Sequence, residues 1–250
     1  MPPVVSGHPA VDRYLADGFA RVPGMSSRFA AAICAHLVRR QAELGLAGPV
    51  AEIGAFEGRF LIALALALQA GERAFGLDTF EWPDEGLEGR FLANCRANGV
   101  AGRVSAVRRD SRALSPSALK EILGGAVRFF HLDGDHRPES LAHDLKLAHA
   151  VLHPKGVICV DDMLHPEFPF LVVGVHDYLR AHPEMRLLCV IDREDIVAAA
   201  KFLICRADAV ALYEADLMQS FRAVQYTLGG DALGHLCVVL TPEPRIFALA

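Results

Sequence analysis

The sequence has no CxxC pair, no cysteine and histidine set at zinc-finger spacing, and no run of more than two adjacent basic residues. Each gap removes a class of protein. The six cysteines (Cys34, Cys95, Cys159, Cys189, Cys205 and Cys237) lie far apart. Several sit in apolar runs such as GVICV and KFLIC, where a free thiol behaves as a small buried hydrophobe. A reducing, cytoplasmic setting is therefore expected. With 25 Lys and Arg against 30 Asp and Glu, the net charge is -5. There is no basic cluster for phosphate binding, which argues against a nucleic-acid partner. The amino terminus, MPPVVSGHPAVDRYL, has neither the basic start nor the apolar stretch of a leader. The longest apolar run, FLIALALALQA, is far short of the roughly 20 residues that span a bilayer, so no membrane partner is expected. Two nucleotide signatures are missing as well. There is no GxGxxG, as in nicotinamide and flavin binders, and no GxxxxGK[ST] phosphate loop.

What remains is a chain of 250 residues, 52% apolar and 22% charged, enough for one sizeable core. No repeat or low-complexity linker divides it. We read residues 1–250 as a single domain: an N-terminal helical segment (1–45), a core (46–206) and a C-terminal extension (207–250). Ser26 and Ser27 are capping candidates for a helix over 26–44. Beyond it, short apolar runs alternate with helical patterns. PVAEIG (49–54), RAFGLD (73–78), RVSAVRRD (103–110), AVRFFHLD (126–133), KGVICVDD (155–162) and RLLCVID (186–192) read as strands. The segments 58–71, 86–99, 138–153 and 168–182 read as helices. This alternation predicts a doubly wound α/β Rossmann-like fold with a mainly parallel sheet. Runs apolar at every position suit strands buried on both faces. In such folds, ligands lie beyond the carboxyl ends of the strands. The residues just after each strand are therefore the place to look for chemistry.

The first strand ends in Glu52-Ile53-Gly54-Ala55-Phe56-Glu57-Gly58, where Gly54 and Gly58 allow a tight turn and close backbone approach before a helix. The second ends at Asp78, 24 residues after Gly54. There a carboxylate can accept from ribose hydroxyls, or simply cap a turn. The third ends in Asp110-Ser111, a candidate adenine contact with an N-cap as its equal competitor.

Taken in order, VAEIGAFEG, GLDTF, RRDS, FHLDGDH and GVICVDD resemble the class I S-adenosylmethionine-dependent methyltransferases. More narrowly, they resemble the branch with D-G-D-H and D-D motifs that includes macrolide-sugar and other small-molecule O-methyltransferases. The resemblance covers roughly residues 48 to 205. It implies a seven-stranded sheet whose last strand, AAAKFLICRAD (198–208), is antiparallel. It also implies that Glu52 and Gly54 line the methionine end of S-adenosyl-L-methionine, with Ala55, Phe56, Gly58 and Thr79 as further cofactor contacts. Asp78 would hold the ribose, and Asp110 with Ser111 would face the adenine.

Asp133 ends the fourth strand, with Asp135 and His136 just beyond, and Asp161 and Asp162 end the fifth. Neighbouring strand ends lie only about 5 Å apart. Crowded carboxylates raise one another's pKa values unless a cation compensates. A hard divalent ion such as Mg2+ suits oxygen donors of this kind. The resemblance implies Asp133, Asp161 and Asp162 as its ligands. The competing reading has Asp161 and Asp162 as caps and Asp133 on the cofactor's ammonium group, with no metal. His136 is the candidate general base, since an imidazole near pKa 6.5 works at neutral pH. The alternative role for His136 is to close a turn.

The expected reaction is methyl transfer to a hydroxyl of a small-molecule acceptor, a sugar or phenol. His165, Phe80, Trp82 and the helix in EFPFLVVGVHDYL are candidate walls of the acceptor pocket. LCVVL (236–240) and IFALA (246–250) are strand candidates in the extension, which would close the pocket or form a contact in a homo-oligomer. Rival readings are a metal-dependent hydrolase or a nucleotide-dependent oxidoreductase on the same sheet, and a protein that binds S-adenosylmethionine without turnover.

Overall fold

In the computed structural model, which describes residues 4–242, the apolar runs form the middle of a nine-stranded sheet. In chain order the strands are β1 (Val50–Ile53), β2 (Ala74–Asp78), β3 (Val104–Arg108), β4 (Val127–Leu132), β5 (Leu152–Met163), β6 (Met185–Ile191), β7 (Ala200–Arg206), β8 (Gln225–Asp231) and β9 (Leu236–Leu240). Their spatial order is β3-β2-β1-β4-β5-β7-β6-β9-β8. Strands β1 to β5 pair in parallel, and β7 is antiparallel to both β5 and β6. The doubly wound α/β fold and its antiparallel β7 are as expected, but the strand count of seven is corrected to nine. The two additional strands belong to the extension. β9 pairs in parallel with β6, and β8 is antiparallel to β9. Their pairing covers the edge of β6, whose backbone groups would otherwise face solvent. LCVVL forms β9 as predicted. Gln225–Asp231 escaped prediction because its Gly-Gly pair has little strand propensity. The IFALA segment lies outside the described residues.

Helices cover both faces. On one side lie α2 (Arg28–Glu43), α3 (Arg59–Leu66), α4 (Leu87–Ala97) and α8 (Val210–Ser220), preceded by a short α1 (Pro9–Arg13). On the other lie α5 (Pro116–Leu123), α6 (Pro138–Val151) and α7 (Phe170–Ala181). Successive strand residues feed opposite layers, as a period of two requires. Phe129 and Cys159 join the first core, Phe130 and Ile158 the second. Both faces of the sheet are buried, which is why these strands read as apolar at every position. The described cysteines are free and buried, as the sequence suggested.

Of the two candidate caps of α2, only Ser27 acts as one, accepting from the Ala30 N–H at 2.9 Å. Such a cap contributes about 1 kcal/mol. Ser26 points elsewhere, into the site described below. No helix among the described residues is long and apolar enough to cross a membrane.

Candidate active site

The carboxyl ends of β1 to β4 border a cavity of about 540 Å3. This is within the range of small-molecule sites. Its wall includes Glu52, Gly54, Ala55, Phe56, Asp78, Thr79, Asp110, Ser111, Asp133 and His136, so nearly the whole predicted set converges. Gly58 stands just behind, as the left-handed residue that starts α3 (φ 87°). Gly54 is dictated by packing as much as by any ligand. A Cβ there would lie 1.6 Å from the Asp133 carbonyl oxygen, and its φ is 82°. Four non-glycine residues near these strand ends, Phe56, Phe80, Asp162 and Leu164, also have positive φ. Such strain persists where surrounding structure imposes it, and it clusters at functional sites.

The acidic residues divide into an open group and a buried one. Asp78 accepts from the Phe56 N–H (2.9 Å) and the Phe80 N–H (2.8 Å), so it ties the ends of β1 and β2 together while lining the cavity. Asp110 caps the turn that follows it and is gripped by Arg112 at 2.8 Å, whose hydrogen bonds lower its pKa. Trp82, 67% exposed, stands over the rim with its ring centroid 5.6 Å from that of Phe56. Phe80 is corrected: it is fully buried against Phe91 and lines nothing.

At the other end, Glu52 and His131 are partners in register on β1 and β4. His131 Nδ1 lies 2.7 Å from Glu52 Oε1, and its Nε2 lies 3.2 Å from Asp161 Oδ2. Burial alone would lower the His131 pKa, and the Lys201 charge adds to that. Asp161 and Glu52 outweigh both and raise it to about 9. The imidazole is thus doubly protonated near neutrality and donates to both carboxylates. Lys201, 1% exposed, forms an ion pair with Asp161 Oδ2. Burial pushes the Asp161 carboxyl up, but Lys201 and His131 hold it well below the usual range. Burial raises the pKa of Glu52, whose Oε2 has no partner although Glu52 is only 2% exposed and lines the cavity.

Asp161 and Asp162 therefore do not act together. Consecutive strand residues project to opposite faces. Here a bulge between the Val160 and Met163 pairings, with φ 57° at Asp162, separates them further. Asp162 turns to His136, with 2.5 Å between Oδ2 and Nε2, and Asp133 Oδ1 lies 3.9 Å from the same nitrogen. The His136 ring stacks on Phe168 at 4.2 Å between centroids. Burial lowers the His136 pKa, and the two carboxylates more than reverse this, raising it to about 10. Burial and the Asp161 charge raise Asp133 in turn, to about 8.

Asp133, Asp161 and Asp162 do not form one donor set for a divalent ion: the donor atoms gather instead in two groups, His131, Asp133 and Asp161, and Asp133, His136 and Asp162. Asp161 Oδ2 already faces Lys201, His131 and the Ser26 hydroxyl (3.3 Å), and Oδ1 accepts from the Asp162 N–H at 2.8 Å. His165 stacks on Phe168 (4.9 Å between centroids) and does not line the cavity, nor does any residue of α7.

The sequence reading missed several participants. Residues Pro23 to Ser26 line the cavity, anchored through Arg59, which donates to the Val22 carbonyl at 2.6 Å. His131 and Lys201 were also missed. Their signal was a polar residue set among apolar ones in a strand, the histidine of FFHL and the lysine of AAAKFLIC, which is the informative kind of buried residue.

Residues 51–163 match the model of a methyltransferase domain family. No curated protein sequence matches the chain. Among solved structures, the chain is similar to the O-methyltransferase TomG of Streptomyces achromogenes, involved in tomaymycin synthesis and solved with S-adenosylmethionine. That likeness has 21% identity, 79% of this chain, 89% of the other and a TM-score of 0.56. An O-methyltransferase from Bacillus cereus, solved with S-adenosylhomocysteine, is 19% identical over 82% of this chain and 93% of its own, with a TM-score of 0.56. The TDP-rhamnose 3'-O-methyltransferase of calicheamicin biosynthesis is 19% identical over 78% and 86%, with a TM-score of 0.53. The chain has the fold of these class I methyltransferases, and its residues 51–163 match a methyltransferase domain model, in agreement with the resemblance seen in its motifs.

Proposed function

We propose that this protein is an S-adenosylmethionine-dependent O-methyltransferase acting on a hydroxyl group of a small molecule, a sugar or a phenol. The observation that carries this reading is one cavity whose wall holds Asp110, Asp78, Glu52 and Asp133 in a row, with His136 on the same wall. The residues fit the cofactor. Asp78 has lone pairs beyond those it gives to Phe56 and Phe80, suited to ribose hydroxyls. The unpartnered Glu52 Oε2 is a buried acceptor suited to an ammonium group. Phe56 and Trp82 offer apolar surface at the rim. When bound, S-adenosylmethionine supplies an electrophilic methyl group. The protein's task is to orient the acceptor oxygen and take its proton.

We assign the proton to the cluster of His136, Asp133 and Asp162. The geometry alters the simple picture of a neutral imidazole base. With the His136 pKa raised to about 10, its ring is protonated near neutrality and orders the two carboxylates. Asp133, raised to about 8, is the member whose basicity suits a hydroxyl proton at that pH. Asp133 takes the proton as its carboxylate, while His136, already charged and held by Asp162, keeps that carboxylate in place. A small acceptor is supported by the net charge of -5, which offers no basic surface to a nucleic acid.

Calorimetric titration of S-adenosylmethionine into wild type and Asp78→Asn tests the reading. Micromolar binding to wild type, weakened roughly 10- to 100-fold by the substitution, is the expected outcome for loss of charged hydrogen bonds. No binding to folded, cofactor-free protein would return the hydrolase and oxidoreductase readings.

A further inference from the structure

The sequence leads to an expectation of a divalent cation because several carboxylates crowd the ends of β4 and β5. The structure meets the same electrostatic need from within. Lys201 stands on β7 opposite the bulge in β5, between the pairings Val160–Phe202 and Met163–Ala200, which places it beside Asp161. Its ammonium lies against Asp161 Oδ2, 3.3 Å from the Ser26 hydroxyl and 3.2 Å from His131 Nε2. The Phe60 ring covers it at 4.7 Å. Lys201 is 1% exposed and Asp161 6%, so neither charge is balanced by water.

We propose that the Lys201 ammonium occupies the position of a divalent cation at these strand ends, so that the methyl transfer inferred above proceeds without a metal ion. The inference rests on the methyl-transfer reading, but its metal-binding half stands apart from it. Three features make the replacement specific. Asp161 Oδ2 already faces three donor groups, and its other oxygen takes the Asp162 N–H, so its lone pairs are engaged. A cation reaching it would have to displace a lysine that has no other carboxylate within ion-pair distance among the described residues. The alternation along β5 sends Asp162 to His136 rather than toward Asp161, so the two never present a shared pair of oxygens. A fixed ammonium supplies positive charge at the strand ends without an open coordination position. The other donor group here, Asp133, His136 and Asp162, is closed on itself by the 2.5 Å contact between His136 Nε2 and Asp162 Oδ2, which leaves it to the acceptor hydroxyl.

The test is Mn2+ titration of EDTA-treated protein, with free Mn2+ followed by electron paramagnetic resonance. It would be run on wild type, Asp161→Asn, Asp162→Asn and Lys201→Met. Wild type is expected to show no site tighter than about 1 mM, the weak end of protein cation sites. Lys201→Met, which frees Asp161, is expected to gain one Mn2+ site at least about tenfold tighter. If Lys201→Met fails to fold, Lys201→Met with Asp161→Asn removes both charges together and is expected to fold without binding Mn2+. The wild-type titration then decides by itself. A wild-type Mn2+ site tighter than about 0.1 mM that is lost in Asp161→Asn or Asp162→Asn would overturn the proposal. So would methyl transfer that EDTA abolishes and Mg2+ restores. If no acceptor is methylated at all, the methyl-transfer reading fails, while the Mn2+ titration still judges Lys201.

Discussion

A buried ion-pair cluster lies at each end of the adjacent strands β1 and β4, and the two are built differently. At the amino ends Arg128, fully buried, donates to Glu72 Oε1 (2.8 Å) and Oε2 (2.6 Å), the Val38 carbonyl (2.6 Å) and Gln41 Oε1 (3.0 Å). Glu72 in turn accepts from the N–H groups of Gly48 and Gln69. At the carboxyl ends Glu52, His131, Asp161 and Lys201 are buried just as deeply, yet Glu52 keeps an oxygen without a partner on the cavity wall. A network with all its members satisfied holds strands in place. One with an orphaned acceptor is expensive to bury unless something binds it. Buried ion pairing thus forms a closed network at one end of these strands and one left open on the cavity at the other.

The largest expected effect breaks this contrast at its structural end. Arg128→Ala strands Glu72 and should cost about 3–5 kcal/mol of stability by thermal or denaturant unfolding. The protein that remains folded should bind S-adenosylmethionine within about twofold of wild type, as distant sites act independently. A tenfold loss of affinity would show that the two ends are not separable.

At the functional end, His136→Asn should lower kcat roughly 10²- to 10⁴-fold with cofactor affinity unchanged. The same cluster sets a pH profile. A base works deprotonated, and Asp133 loses its proton only near pH 8, while His136 keeps its own until about 10. The rate should therefore rise through about pH 8 and fall toward pH 10, rather than rise through the 6.5 of a free imidazole. A profile levelling off by pH 7 would remove the carboxylates from the proton step.

The smallest effect sharpens the contrast within the open end. Asp110 is already paired with Arg112 and its side chain is 38% exposed, so Asp110→Ala should weaken cofactor binding only about two- to fivefold. A loss equal to that of Asp78→Asn would mean that both carboxylates hold the ligand alike.

Much of this was legible in the chain. The acidic strand ends Asp78, Asp110 and Asp133 were found because a parallel sheet places the ends of its strands along one edge, and sequence order maps onto that edge. Helix α5 was legible but unread: Ser115 caps it, Pro116 follows at its first position, and Leu119 and Leu123 lie four apart. The absence of GxGxxG already counted against a nicotinamide or flavin cofactor.

What the amino-acid sequence determined by itself is therefore the periodic part: the alternation of strand and helix, the layers both faces must bury, and which carboxylates end which strands. The tertiary structure alone decided the partners of those carboxylates. Lys201 is 40 residues from Asp161 and Ser26 is 135, and only the antiparallel return of β7 and the fold of the N-terminal segment bring them together. The division between Asp161 and Asp162 depended on a single bulge. Local patterns record which face a residue belongs to, but charge pairing falls off steeply with distance, and distance between remote segments exists only once the chain has folded.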